Sequence, residues 1–189
     1  IEPQLHIVGP TMESLKYNIM DDDLAELFSN LLVSDMDRRT QNLCTPAFVK
    51  VIEQLSPADA RVFKTIFNEC AKVETIPICK MDLCKIEKRK IRKEYLPLYL
   101  VGIEVDALNP NDLSKSLQNL SRLGLLTIDF LKWSSNDEVY NKLIDNSFIE
   151  SLKVWANQAT RDSYVAKVEA KGLLELNDFA RDFAKVCLR

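Results

Sequence analysis

The chain has 189 residues, 47% hydrophobic and 28% charged, which is enough for one large or two small domains with a buried core. Its 25 basic and 28 acidic side chains leave a net charge of -3 and a pI near 5.3, so no global field holds nucleic acid or an anionic membrane, and any such contact has to be local. Four glycines and seven prolines exclude a low-complexity chain, and no run approaches the roughly 18 apolar residues of a membrane span.

The chain opens at Ile1 rather than Met and reads as a fragment whose N-terminal segment is missing; no basic stretch leads into an apolar one before Leu5, so it shows no secretory leader. Cys44, Cys70, Cys79, Cys84 and Cys187 are odd in number, widely spaced and set mostly among apolar residues. That usage predicts reduced thiols and a cytoplasmic protein rather than a disulfide framework.

Met12, Leu15 and Ile19 predict a short helix after Pro10, packed on the core. Asp21, Asp22 and Asp23 then precede Leu24, Leu27, Phe28, Leu31, Leu32 and Met36, the buried face of a second helix whose open N–H groups the carboxylates cap. Thr45-Pro46 and Ser56-Pro57 each offer a hydroxyl cap followed by proline at the first helical position, where its missing N–H costs nothing. The helix from Pro46 carries Phe48, Val49 and Ile52 and ends near Leu55. The one from Pro57 carries Ala60, Phe63, Ile66, Phe67 and Cys70, with Asp59 as a shorter counterpart of the capping-box Glu.

From Val73 the period changes. Ile76 to Met81 and Leu98 to Val105 read as strands, and between them lies the basic run Lys85 to Lys93. After Asn109-Pro110 a helix with Leu113, Leu117, Leu120 and Leu123 stops at Gly124, which is placed for a left-handed C′ residue. Leu125 to Trp133 predicts a strand, Ser134 to Asp137 a loop, Val139 to Trp155 an amphipathic helix through Leu143, Ile144, Phe148 and Leu152, and Ala156 to Ser163 a polar stretch. Tyr164 to Val168 and Leu173 to Leu176 flank a predicted turn at Lys171-Gly172, and Asn177 caps a last helix with Phe179, Phe183, Val186 and Cys187. The fold class is α+β, mainly α. Residues 1–72 form a helical N-terminal part and residues 73–189 a winged-helix-like part with short strands and a C-terminal helix, the two making one continuous globular unit.

Chemistry-bearing patterns are sparse. His6 is the single histidine and sits near a chain end, so neither a Cys-His pair nor a Ser-His-Asp triad has a base, and no Gly-x-Ser-x-Gly elbow occurs. Cys79 and Cys84 have no second pair to complete a zinc site. Asp21, Asp22, Asp23, Glu26, Asp35 and Asp37 lie on one helix and its ends, where capping and solvation explain them, and the four glycines are isolated, so no phosphate loop forms. The expectation is a non-enzyme with no metal and no cofactor.

One concentrated positive patch remains: Lys85, Lys88, Arg89, Lys90, Arg92 and Lys93 stand against Glu87 alone, a local +5 that leaves -8 for the other 180 residues. It predicts either a phosphate patch for nucleic acid, a surface for anionic lipid or an acidic protein, or a solvated hairpin or helix face. The helix from Pro110 offers Lys115, Gln118, Asn119 and Arg122 as a candidate recognition set, but with Asp112 its net charge is only +1, which favours protein contact over phosphate neutralisation.

The linear pattern Glu2-Pro3, Leu15-Lys16-Tyr17, Asp23 to Leu32, Thr45-Pro46-Ala47-Phe48-Val49 and Leu55 to Ala60 resembles the bacterial abortive-infection alpha family, as do Leu120 to Leu126 and Phe183 to Leu188. Thr45 stands where that family often has His, which removes a shared histidine site, and Asn177-Asp178-Phe179 replaces a more usual Thr-x-x-Gly helix start. The resemblance implies antiphage defence by growth arrest or death of the infected cell, and it transfers no catalytic residue. The leading expectation is a sensor or interaction domain that binds a protein of the phage or host, without membrane contact from this segment. The alternative is a winged-helix nucleic-acid binder regulating a defence or mobile-element locus.

Overall fold

A computed structural model describes residues 2–87, 90–93, 98–105, 108–145, 147, 149–151, 154 and 163–188. Its elements are α+β and mainly helical, and they fall into two compact units that interleave in sequence: residues 1–72, 116–127 and 176–189 form the first, residues 73–115 and 128–175 the second. The helical part therefore recruits two later segments that the linear division at residue 72 assigns to the other half.

The first unit holds α1 (Leu5–Asn18), α2 (Asp22–Asp35), a 3-10 turn (Gln41–Leu43), α3 (Pro46–Ile52), α4 (Pro57–Cys70), the end of α5 (Pro110–Arg122) and α7 (Asp178–Cys187). Local chemistry sets most of these boundaries. Asp21 Oδ1 accepts the Leu24 N–H at 3.0 Å, and Thr45 Oγ1 accepts that of Ala47 at 3.4 Å. Ser56 and Asp59 form a reciprocal capping box, Ser56 Oγ accepting from Asp59 N at 3.2 Å and Asp59 Oδ2 from Ser56 N at 2.8 Å. At the end of α5, Gly124 has φ +75°; the Leu125 N–H donates to Leu120 O and the Gly124 N–H to Ser121 O, a Schellman stop with both leucines buried. Phe28, Leu31, Phe48, Phe63, Ile66 and Phe183 fill the core, with the Phe183 ring 5.4 Å from both Phe48 and Phe63.

α1 departs from expectation twice. It starts at Leu5, upstream of Pro10, because a tertiary contact caps it: Gln4 is extended, its carbonyl accepts from Ile7 and Val8, and its N–H donates to buried Asp35 Oδ2 at 2.7 Å. It also buries Ile7, Thr11 and Ser14, leaving Met12 and Ile19 exposed rather than packed on the core. On the inward face Ile7 is fully buried, Thr11 Oγ1 donates within the helix to Ile7 O at 2.7 Å, and Ser14 Oγ reaches across to Glu53 Oε1 at 2.6 Å.

The second unit is built on β1 (Ile76–Glu87), β2 (Lys90–Lys93), β3 (Leu98–Val101), β4 (Thr127–Asp129) and β5 (Ser163–Glu175), in the order β2-β1-β5-β4 with β3 also on β1. β1 runs six residues beyond the predicted Met81. Its first half pairs with β3 (Ile78↔Val101 to Met81↔Leu98) and its second with β2 (Cys84↔Lys93 to Glu87↔Lys90), all antiparallel. β5 pairs along nearly all of β1, with one register shift at Lys80/Met81, where Lys80 Nζ meets Glu169 at 2.9 Å. β3 ends at Val101 rather than Val105, and β4 ends at Asp129 rather than Trp133, where aspartate, a poor strand residue, turns the chain.

The predicted turn at Lys171-Gly172 is absent, since β5 is one continuous strand. Gly172 serves close approach instead. A Cβ there would lie 2.7 Å from the Phe130 ring and 2.8 Å from Asp129 O. The predicted helix from Val139 breaks: α6 (Glu138–Ile144) stops at Asp145, whose ψ of 69° is not helical, while Phe148, Leu152, Trp155 and most of the polar stretch after it lie outside the described residues. Tyr140 and Ile149 pack with Cys79, Met81 and Leu100. The order β1-β5-β4, with α5 entering β4 and α7 following β5, gives the second half its winged-helix character.

Candidate functional site

The basic run forms the arms of the β1–β2 hairpin, with Lys85 opposite Arg92, Glu87 opposite Lys90 and Cys84 opposite Lys93. Lys88 and Arg89 lie outside the described residues. β2 is a terminal strand of the sheet, and bases on a terminal strand discourage edge-to-edge pairing with another chain.

The residues proposed for recognition on α5 do not form one reading surface. Lys115 is exposed and pairs with Asp112 at 2.9 Å, holding that carboxyl below its ordinary range together with a bond from Asn109. Gln118 is exposed. Asn119 Nδ2 donates to Asp59 Oδ2 at 2.9 Å and to Gln54 O at 3.2 Å. Arg122 donates from Nε and Nη2 to Asn119 Oδ1 at 3.1 and 2.8 Å and from Nη1 to Gln54 Oε1 at 3.1 Å. Asn119 and Arg122 thus belong to the polar lock that carries the α4 capping box.

The acids are similarly engaged. Asp23 pairs with Arg61 at 2.7 Å, Glu26 with Lys64 at 3.0 Å and Asp37 with Arg39 at 2.8 Å. Among the described residues no three His, Cys, Asp or Glu side chains gather as a metal ion requires. None of the five cysteines is in a disulfide. Burial pushes the Cys79 thiol up to about 11, with Lys171 opposing the rise, and holds Cys187 well above the ordinary thiol value, so both are neutral at physiological pH. A cavity of about 630 Å³ in the second unit has mainly aliphatic walls, Leu100, Ile103, Leu113 and Leu143 among them, with Glu104 and Lys142 as its charged members.

Two surfaces escaped the sequence reading. The first is the outward face of α1. The second is the tripeptide Leu131-Lys132-Trp133 that follows β4, in the connection between β4 and β5 where a winged-helix fold carries its wing. Leu131 is 88% exposed and Trp133 61%. The tripeptide is fixed at both ends: the Leu131 N–H donates to Asp129 Oδ1 at 2.7 Å, and the Ser134 N–H donates to the hydroxyl of fully buried Tyr140 at 2.8 Å. That hydroxyl in turn donates to Gly172 O at 3.0 Å, and Lys171 lies 5.3 Å from the Tyr140 ring centre while pairing with Asp137. Asp129, whose carboxylate accepts the N–H two residues on, makes an Asx turn, and an aspartate here is the one turn signal in the sequence for this loop.

Residues 1–187 match the family described as Abortive infection alpha. The chain belongs to the abortive infection alpha family. No curated protein matches the sequence. Among solved structures, the chain is similar to an uncharacterized protein from the hydrocarbon-degrading marine bacterium Alcanivorax borkumensis SK2, at 11% identity, with 74% of this chain and 91% of that chain covered and a TM-score of 0.39. The name of the abortive infection alpha family points to abortive-infection defence. In this member Thr45 caps α3, and Asn177 has two jobs at the start of α7: its Oδ1 accepts the Ala180 N–H at 2.9 Å, and its Nδ2 donates to Gly124 O at 2.8 Å. A threonine could cap but has no amide to tie Gly124. Among the described residues no helix is long and apolar enough to cross a membrane.

Proposed function

We propose that the chain is a non-enzymatic antiphage defence protein of the cytoplasm that acts by binding a protein partner of the phage or host. The observation that carries this reading is the anchored Leu131-Lys132-Trp133 loop. Two large apolar side chains are exposed on a backbone fixed by Asp129 and Tyr140, so little ordering cost falls on binding. Tryptophan is enriched among the few residues that dominate protein interfaces. Lys132 lies 3.6 Å from Asp129, so the loop carries no net positive charge for phosphate, and an apolar pocket on a protein fits it better than nucleic acid. Five cysteines, none of them in a disulfide, fit a reducing compartment.

The test is a phage challenge of cells producing the wild-type protein, Trp133→Ala or Leu131→Asp, at low and high phage-to-cell ratios. The wild type is expected to protect cultures at low ratio and to let them collapse at high ratio. Both variants are expected to lose protection at unchanged protein level and melting temperature. Full protection by both variants overturns the role of this loop.

A further inference from the structure

We propose that the outward face of α1 is a self-association surface, on which this chain pairs with the same face of a second copy. Leu5, Val8, Met12, Leu15 and Ile19 recur at alternating spacings of three and four, the narrow two-in-seven seam through which helices pair with helices, rather than the broader stripe that packs on a globular core. The chain buries the adjoining side of the helix, Ile7, Thr11 and Ser14. Leu5 is 82% exposed, Met12 54% and Ile19 64%; Val8 and Leu15 are half-buried at the margin, and exposed Met20 extends the patch beyond the helix.

Area and charge select the occupant. Leu5, Met12, Ile19 and Met20 together expose on the order of 500 Å², toward the upper end of what a monomer leaves bare. A second copy contributes an equal share, and the total of about 1,000 Å² sits at the lower bound for a biological interface, the size of a weak, reversible pair. Across α1 the formal charges are one acid, Glu13, and one base, Lys16, so two copies meet without net repulsion. An anionic lipid surface would call for a polar face rich in Lys and Arg, which α1 lacks.

The experiment is sedimentation equilibrium of the whole chain across a concentration series, alongside the double variant Met12→Glu/Ile19→Glu. The wild-type mass is expected to climb from 21.6 kDa toward twice that value as concentration rises, while the double variant stays at 21.6 kDa with unchanged helix content. A second measurement covers the case in which the double variant loses helix. Met12 is central in the seam and meets its own counterpart in either symmetric orientation, so Met12→Cys is expected to form a covalent dimer under mild oxidation, whereas Val73→Cys, exposed on the second unit, is not. Leu5→Cys links only if the helices run parallel. A wild type that stays at 21.6 kDa up to roughly millimolar concentration, a double variant that dimerises as well as the wild type, or equal cross-linking of Met12→Cys and Val73→Cys overturns the proposal.

Discussion

α1 and α7 both pack against α2 in the first unit, yet they are held by opposite chemistry. α7 turns Ala180, Phe183, Ala184, Val186 and Cys187 inward and sets Phe183 between Phe48 and Phe63. Side chains of α2 serve its last carbonyls, Asn30 Nδ2 donating to Cys187 O at 2.9 Å and Ser34 Oγ to Val186 O at 2.8 Å. α1 turns Ile7, Thr11 and Ser14 inward, is tied by Gln4 to Asp35 and by Ser14 to Glu53, and leaves Leu5 and Met12, with Ile19 just beyond its end, to the outside. Apolar periodicity therefore identifies a helix without saying which body the apolar side faces. For α7 that body is the chain's own core; for α1 it lies elsewhere.

The largest effect should come from the apolar anchor. Phe183→Ala removes a fully buried ring and is expected to cost about 3–5 kcal/mol in chemical denaturation. A cost near 1 kcal/mol would mean that α7 is not the helix that carries the packing. Next in size is the α5–α7 junction. Asn177→Ala, losing both the cap and the bond to Gly124, is expected to cost about 1–2 kcal/mol, and Asn177→Thr, which keeps a cap, about half as much. Wild-type stability for Asn177→Thr would show that the Gly124 bond contributes nothing, and equal losses for the two variants that the cap contributes nothing.

On α1 the expected change reverses. At a concentration low enough to keep the wild type monomeric, Met12→Glu and Ile19→Glu should leave unfolding free energy within about 0.5 kcal/mol of the wild type, because the chain buries neither side chain. A larger loss would place that face on the chain's own core after all.

The smallest effect is a pH dependence special to α1. The bond from Lys50, then that from Ser14, holds the Glu53 carboxyl below its ordinary value of 4.5. A depressed carboxyl contributes stability that is fully present above its unfolded value and is lost as pH falls through the lower folded one. Stability measured from pH 6 down to pH 3 should therefore decline less steeply for Ser14→Ala than for the wild type, while Phe183→Ala should leave the slope unchanged. Identical slopes for Ser14→Ala and the wild type would remove Glu53 from the account.

Much of the fold is legible residue by residue where one interaction is local. The Asp21, Thr45, Ser56 and Asn177 caps, the Asp59 capping box and the Gly124 stop each involve groups within a few positions, so residue type and spacing suffice to find them. Gly172 misleads for the converse reason: the glycine is needed for Phe130 and Asp129, which lie more than forty residues away in the chain. The candidate loop was half visible. Asp129 signals a turn, but the exposure of Trp133 depends on where β4 ends and on Tyr140 holding Ser134.

By itself, the sequence determined the class of fold, the order of the helices and most of their ends, because helix caps and apolar spacing are short-range properties of a chain. The basic run and the recognition set on α5 were legible only as charges. Tertiary structure decided that the first lies on the arms of a hairpin ending in a terminal strand and that Asn119 and Arg122 serve the α4 cap. It also decided which face of α1 is buried, since that choice rests on partners remote in sequence: Ile7 enters the core, the Gln4 N–H meets buried Asp35, and Ser14 meets Glu53.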